Sequence, residues 1–94
     1  MLAHEEIRAA VARTAQQHPI KKVSYFGSYA DGRATDQSDL DLLIEFDKPR
    51  VSLFVLSEIK LDLQDQLKVA VDVIHAPLPK GSLIEPERVV QVYG

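Results

Sequence analysis

Residues Val23 to Phe46 read VSYFGSYADGRATDQSDLDLLIEF, and this stretch decides the fold. An apolar run closes at Phe26, and Gly27-Ser28 follows at once. That junction marks a buried strand that breaks into a tight turn with exposed backbone N–H groups. Gly27 to Gly32 is expected to form the turn, with room for one helical turn, and Arg33 to Ser38 a polar loop. Beyond the loop, Asp39, Asp41, Leu43 and Glu45 alternate with Leu40, Leu42, Ile44 and Phe46. A period of two is that of a half-buried strand.

The alternation has a chemical consequence. Side chains two apart on a strand share a face, with backbones about 6.5–7 Å apart. Asp39 and Asp41 so placed can converge on one hard cation. Mg²⁺ takes oxygen ligands and is usually held by one or two carboxylates plus substrate phosphates. The Gly27–Tyr29 turn offers N–H groups to the phosphates themselves. An acidic pair on an exposed strand is ordinary, and so is a Gly-Ser turn. Together in one short segment they make a nucleotide site the first expectation.

Gly27-Ser28, ten residues, then Asp39-Leu40-Asp41 resembles the signature of the DNA polymerase β-like nucleotidyltransferases. The wording GSYADG and SDLDLLI, with the small size, is most similar to the minimal nucleotidyltransferases (MNT). The resemblance implies a polymerase β-like fold and the transfer of a nucleoside monophosphate, AMP from ATP, to a hydroxyl. It assigns Asp39, Asp41 and a third carboxylate to catalysis and to one or two Mg²⁺ ions. It assigns Gly27, Ser28 and Tyr29 to the nucleotide. Such proteins are commonly paired with a small helical HEPN toxin and act as its antitoxin, in some pairs by modifying a toxin tyrosine. Two other roles stay open for such a chain: a non-catalytic module that neutralises a toxin by contact, and a transferase for a small molecule of the aminoglycoside type. Relatives often carry arginine where this chain has Asp31. Arg33, two residues on, is a candidate substitute for it.

Composition narrows the classes. A chain of 94 residues with 46% apolar content is expected to form one globular domain over residues 1–94. There is no cysteine, hence no disulfide or thiolate metal site. The start, MLAHEEIRAAV, carries acids where a signal peptide needs a basic patch. No apolar run approaches the ~18 residues of a membrane span. A cytoplasmic location fits these features. With 14 acids against 11 bases and a net charge of −3, strong nucleic-acid binding is not expected.

The rest of the chain follows the same periodic reading. Ala3 to Gln17 is expected to be a helix with Ile7, Ala10, Val11 and Thr14 on its buried stripe, ended by His18-Pro19. Lys21 to Phe26 is the first strand and Leu40 to Phe46 the second. Ser52 caps a second helix to Gln66, and Lys68 to His75 is a valine-rich third strand. Pro77, Pro79 and Gly81 form a loop, and Pro86 opens a last helix, Glu87 to Tyr93. The order is α-β-β-α-β-α. The short link makes the first two strands antiparallel, and the strand–helix–strand unit parallel. The class is α+β, a small mixed sheet with helices mainly on one face.

Asp72 interrupts the third strand between Val71 and Val73. It either lies on a solvated face or joins Asp39 and Asp41 from an adjacent strand, and the resemblance favours the second as the third site carboxylate. His4, His18 and His75 share no ligand spacing and are read as structural. Tyr29 is read as packing rather than stacking on a base. Phe54, Val55, Val90 and Tyr93 are candidates for a partner surface, and a homo-oligomer is a second way to complete the cleft.

Overall fold

A computed structural model describes residues 2–76 and 88–94. Within them the order is α1 (His4–Ala15), β1 (Ile20–Phe26), β2 (Leu40–Phe46), α2 (Leu53–Leu67), β3 (Val71–Ala76) and β4 (Val90–Tyr93). The strands form one sheet in the order β3-β2-β1-β4. β1 runs antiparallel to both β2 and β4, and β2 runs parallel to β3 through the α2 crossover.

Local chemistry sets the element ends. The Glu6 carboxylate accepts the Ala3 N–H at 3.1 Å, and two acids stand in the first turn of α1, where its dipole favours them. Gln16 and Gln17 donate only to Arg13 and Thr14, three residues back, so α1 tightens and stops short of the expected Gln17. The Ser52 hydroxyl accepts the Val55 N–H at 3.2 Å and caps α2 as expected. At the other end Lys68 takes a left-handed φ of 60° and donates to the Gln64 carbonyl. Residues 68–70 are thereby spent on stopping the helix, and β3 starts at Val71 rather than Lys68.

One face of the sheet carries both helices. Leu40, Leu42, Ile44 and Phe46 of β2 are buried and join Ile7, Ala10 and Val11 of α1 and Ile59, Leu63 and Leu67 of α2 in the core. A polar clasp ties the helices together. The buried Thr14 hydroxyl donates to Asp62 Oδ2 at 2.8 Å and accepts from Gln66 Nε2 at 3.1 Å. Gln66 in turn accepts from Arg13 Nε at 2.8 Å. The opposite face of the sheet presents Asp41, Leu43 and Glu45, all only part-buried.

The expected last helix is not formed over its second half. Val90 to Tyr93 is a strand, and its Val92 is buried. Pro86 and Glu87 lie outside the described residues. The free edge of β1 exposes a row of backbone donors and acceptors, and a strand alongside satisfies them. Val90 and Tyr93 consequently pack against the core instead of forming an open partner surface. Val55 is also part-buried, and of the four expected surface residues only Phe54 is exposed. Leu53 and Leu61 of α2 accompany it, with Val89 exposed just before β4.

Candidate functional site

The site is built where β1 ends and β2 and β3 begin. After Phe26 the chain turns on Gly27, whose φ of +74° is left-handed. Asp31 N–H donates to the Gly27 carbonyl at 3.0 Å, and Arg33 N–H to the Ser28 carbonyl at 2.9 Å. Gly32 is again left-handed, with φ +73°. A single helical turn followed by a left-handed glycine is a Schellman-type stop. The expected helical turn after Gly27 is therefore present. Among the described residues no acceptor takes the N–H of Ser28, Tyr29 or Ala30, as the opening of a helical turn leaves them.

Asp41 faces that turn. A Cβ placed on Gly27 would sit 2.5 Å from Asp41 Oδ2, so the carboxylate occupies the space that glycine leaves open. Asp72 stands beside it, because β2 and β3 pair with Asp41 opposite Asp72. That register is pinned at its start by the Leu40 N–H donating to the Ala70 carbonyl at 2.9 Å. The Val71 N–H donates to Gln64 Oε1 at 3.0 Å, which ties the first residue of β3 to α2. In a parallel pair, partners project to the same side of the sheet. The same row continues to Phe26, the partner of Asp41 on β1.

Electrostatics report the crowding. The Asp41 carboxyl is raised above its ordinary value, first by burial, then by the charges of Asp72 and Asp39. Asp39 and Asp72 are themselves exposed. Among the described residues, no three carboxylate or imidazole groups already stand at ion-ligating spacing. The three aspartates are thus near enough to feel one another without forming a closed ligand shell.

Several neighbouring side chains have partners of their own. Ser38 Oγ accepts the Thr35 N–H at 2.9 Å, bracing the segment that leads into Asp39. Arg33 Nη2 donates to Asp31 Oδ2 at 2.7 Å. Tyr29 packs against the core, and its hydroxyl accepts the Leu2 N–H at 3.4 Å. His4 Nδ1 lies 3.0 Å from the Tyr25 hydroxyl, and His75 packs edge-on against Phe46. None of these histidines belongs to the acidic cluster.

Residues 5–93 match the model of the nucleotidyltransferase domain family. The chain belongs to that family. It is 37% identical over 75 residues to MJ0126 of Methanocaldococcus jannaschii, a candidate protein adenylyltransferase, covering 74% of this chain and 76% of that protein. A second candidate protein adenylyltransferase of that organism, MJ0435, is 36% identical, with 73% of each chain covered. A solved candidate minimal nucleotidyltransferase is 36% identical and superposes with a TM-score of 0.65 over 79% of this chain and 78% of its own. The fold also matches a toxin–antitoxin structure with AMP-PNP, at a TM-score of 0.78 and 18% identity over 93% of this chain and 73% of that one. It matches as well the complex of a tri-AMPylated Shewanella oneidensis HEPN toxin with its MNT antitoxin, at a TM-score of 0.73 and 14% identity, covering 98% and 73%. The fold is thus the mixed-sheet nucleotidyltransferase fold expected from the signature.

For a nucleotidyltransferase, two features here escaped the sequence reading. Asp31 reads as an unwelcome charge beside a phosphate turn, yet it is neutralised by Arg33. The opposite charges two residues apart in a turn were the available signal. In the outward apolar stripe of α2, Leu53, Phe54 and Leu61, helical spacing marks Phe54 and Leu61 as widening the buried stripe but places Leu53 on that stripe with Leu56, Ile59, Leu63 and Leu67; Leu53 is instead exposed. The spacing of Leu53, Ser57 and Leu61 would have marked it.

Proposed function

We propose that residues 1–94 form one minimal nucleotidyltransferase domain that uses ATP, with Mg²⁺, to transfer AMP to a hydroxyl of a partner protein. One observation carries this reading: Asp41 partners Asp72 in the register of β2 and β3, against the turn at Gly27. The donor set fits the ion, since carboxylates are the hard oxygen ligands Mg²⁺ takes. A carboxyl pushed up by burial and then by two neighbouring carboxylates is one that a divalent cation returns to its charged form. Asp39, Asp41 and Asp72 would hold one or two such ions. When bound, the ion supplies neutralisation of the triphosphate and a lowered pKa for the acceptor hydroxyl.

The chain's own residues position and exclude. The N–H groups of Ser28 and Tyr29 and the Ser28 hydroxyl hydrogen-bond the β and γ phosphates, with Gly27 letting the backbone approach. Asp72, exposed on the edge strand β3, takes the proton of the acceptor hydroxyl. The acceptor oxygen bonds to the α-phosphorus as the bond to the bridging oxygen breaks and pyrophosphate leaves. Position and charge supply the rate, as in other phosphoryl transfers.

The names of the relatives, as protein adenylyltransferases, support a protein acceptor. The toxin–antitoxin neighbours in the fold support a HEPN-type toxin as that partner and this chain as its antitoxin. Among the described residues no helix is long and apolar enough to cross a membrane. A second reading is favoured by the exposed Leu53, Phe54 and Leu61 of α2: neutralisation by contact, without transfer.

Labelled ATP, Mg²⁺ and the copurifying partner separate the two readings. The wild-type chain is expected to label the partner, and the Asp39→Asn/Asp41→Asn variant to leave it unlabelled. An unlabelled partner with equal protection by both chains overturns the catalytic reading in favour of contact.

A further inference from the structure

Arg33 is the one positively charged side chain between Lys22 and Lys48, a stretch that holds six acidic residues. Its backbone N–H is bonded to the Ser28 carbonyl at 2.9 Å, so the residue is fastened to the turn that opens the site. Its guanidinium meets Asp31 Oδ2 at 2.7 Å, with the two side chains 76% and 36% exposed. An ion pair in that much solvent holds its members weakly. The guanidinium also keeps further N–H donors beyond the one given to Asp31. A polyphosphate approaching Asp39, Asp41 and Asp72 meets like charge, and Arg33 is the cation fastened to the turn itself that can offset it.

We propose that Arg33 binds the terminal phosphates of the nucleotide, and that Asp31 holds its guanidinium at the turn until a triphosphate displaces it. This rests on the nucleotide reading above. Phosphate oxygens accept from a guanidinium in the same forked geometry as a carboxylate, so the exchange replaces one acceptor with another. Asp31 then returns to solvent at little cost, since the pair it leaves is an exposed one. Asp31 and triphosphate therefore compete for one side chain. Removing Arg33 weakens polyphosphate binding, and removing the Asp31 charge strengthens it. AMP, which lacks the terminal phosphates, is indifferent to both.

Calorimetric titration of the full chain with Mg²⁺-ATP, inorganic triphosphate and AMP tests this. Arg33→Gln is expected to weaken ATP and triphosphate binding by about tenfold to a hundredfold, the span of one charge-assisted contact, and to leave AMP unchanged. Asp31→Asn is expected to tighten ATP and triphosphate, and the double variant to follow Arg33→Gln. Thermal melts should show all three variants folded, because both side chains are exposed. Triphosphate binding by Arg33→Gln equal to wild type, or an equal loss for AMP, overturns the role of Arg33. Weaker ATP binding by Asp31→Asn overturns the competition. A wild-type chain that binds none of the three ligands overturns the nucleotide reading itself, and this inference with it.

Discussion

The carboxylate of Asp41 lies where a side chain on Gly27 would have to begin, with Oδ2 2.5 Å from that position. Gly27→Ala therefore meets two obstacles: the φ of +74°, which costs an L-residue about 1–2 kcal/mol, and the collision with Asp41. The variant should lose about that much stability and show a displaced Asp41, read as lost Mg²⁺-dependent nucleotide binding. Binding equal to wild type would separate the turn from the site.

Asp41 should also govern a pH dependence. Its carboxyl is raised by burial and by the charges of Asp72 and Asp39, so the folded chain binds that proton more tightly than the unfolded one. The resulting stabilisation is full below the unfolded value and is lost as pH rises through the folded one. At neutral pH Asp41→Asn should melt a few degrees above wild type, and the gap should close below about pH 4, the ordinary carboxylate range. Mg²⁺ should raise the melting temperature of wild type and leave the variant unmoved. Melting curves across this range check both signs.

The clasp between the helices is a stability device rather than part of the site. Thr14 is 1% exposed, and Thr14→Val keeps its shape while stranding Asp62 and Gln66. The cost should be about 1–3 kcal/mol for the unsatisfied partners, visible in denaturant unfolding. Nucleotide binding should survive, because the clasp lies on the helix-covered face and the aspartates on the other.

Phe54 is 83% exposed and contributes little to the fold. Phe54→Glu should change stability by no more than about 0.5 kcal/mol, the usual effect at a surface position. Copurification of the partner protein should fall sharply if the outer stripe of α2 is where it docks. An unchanged yield of complex would move the interface elsewhere.

Much of this architecture was legible in order along the chain. The alternation from Leu40 to Phe46 set β2 at its observed bounds, and Ser52 set the start of α2, because both signals are local and strong. The end of the chain was not legible. Four residues from Val90 to Tyr93 are too few for periodicity to tell a helix from a strand, and Pro86 pointed toward a helix. The open edge of β1, which lies more than sixty residues earlier in the chain, decided the outcome.

By itself the sequence determined that Asp39 and Asp41 stand at the mouth of a strand after a glycine turn, since spacing along one strand fixes which side chains share a face. Only the tertiary structure decided that Asp72 falls beside Asp41 and that Arg33 is tethered by Asp31. Both depend on contacts no local pattern contains. The first needs the α2 crossover and the bond from Leu40 to Ala70 to choose one register. The second needs the turn to close on Ser28, and the charge of Asp31 then finds its partner at 2.7 Å.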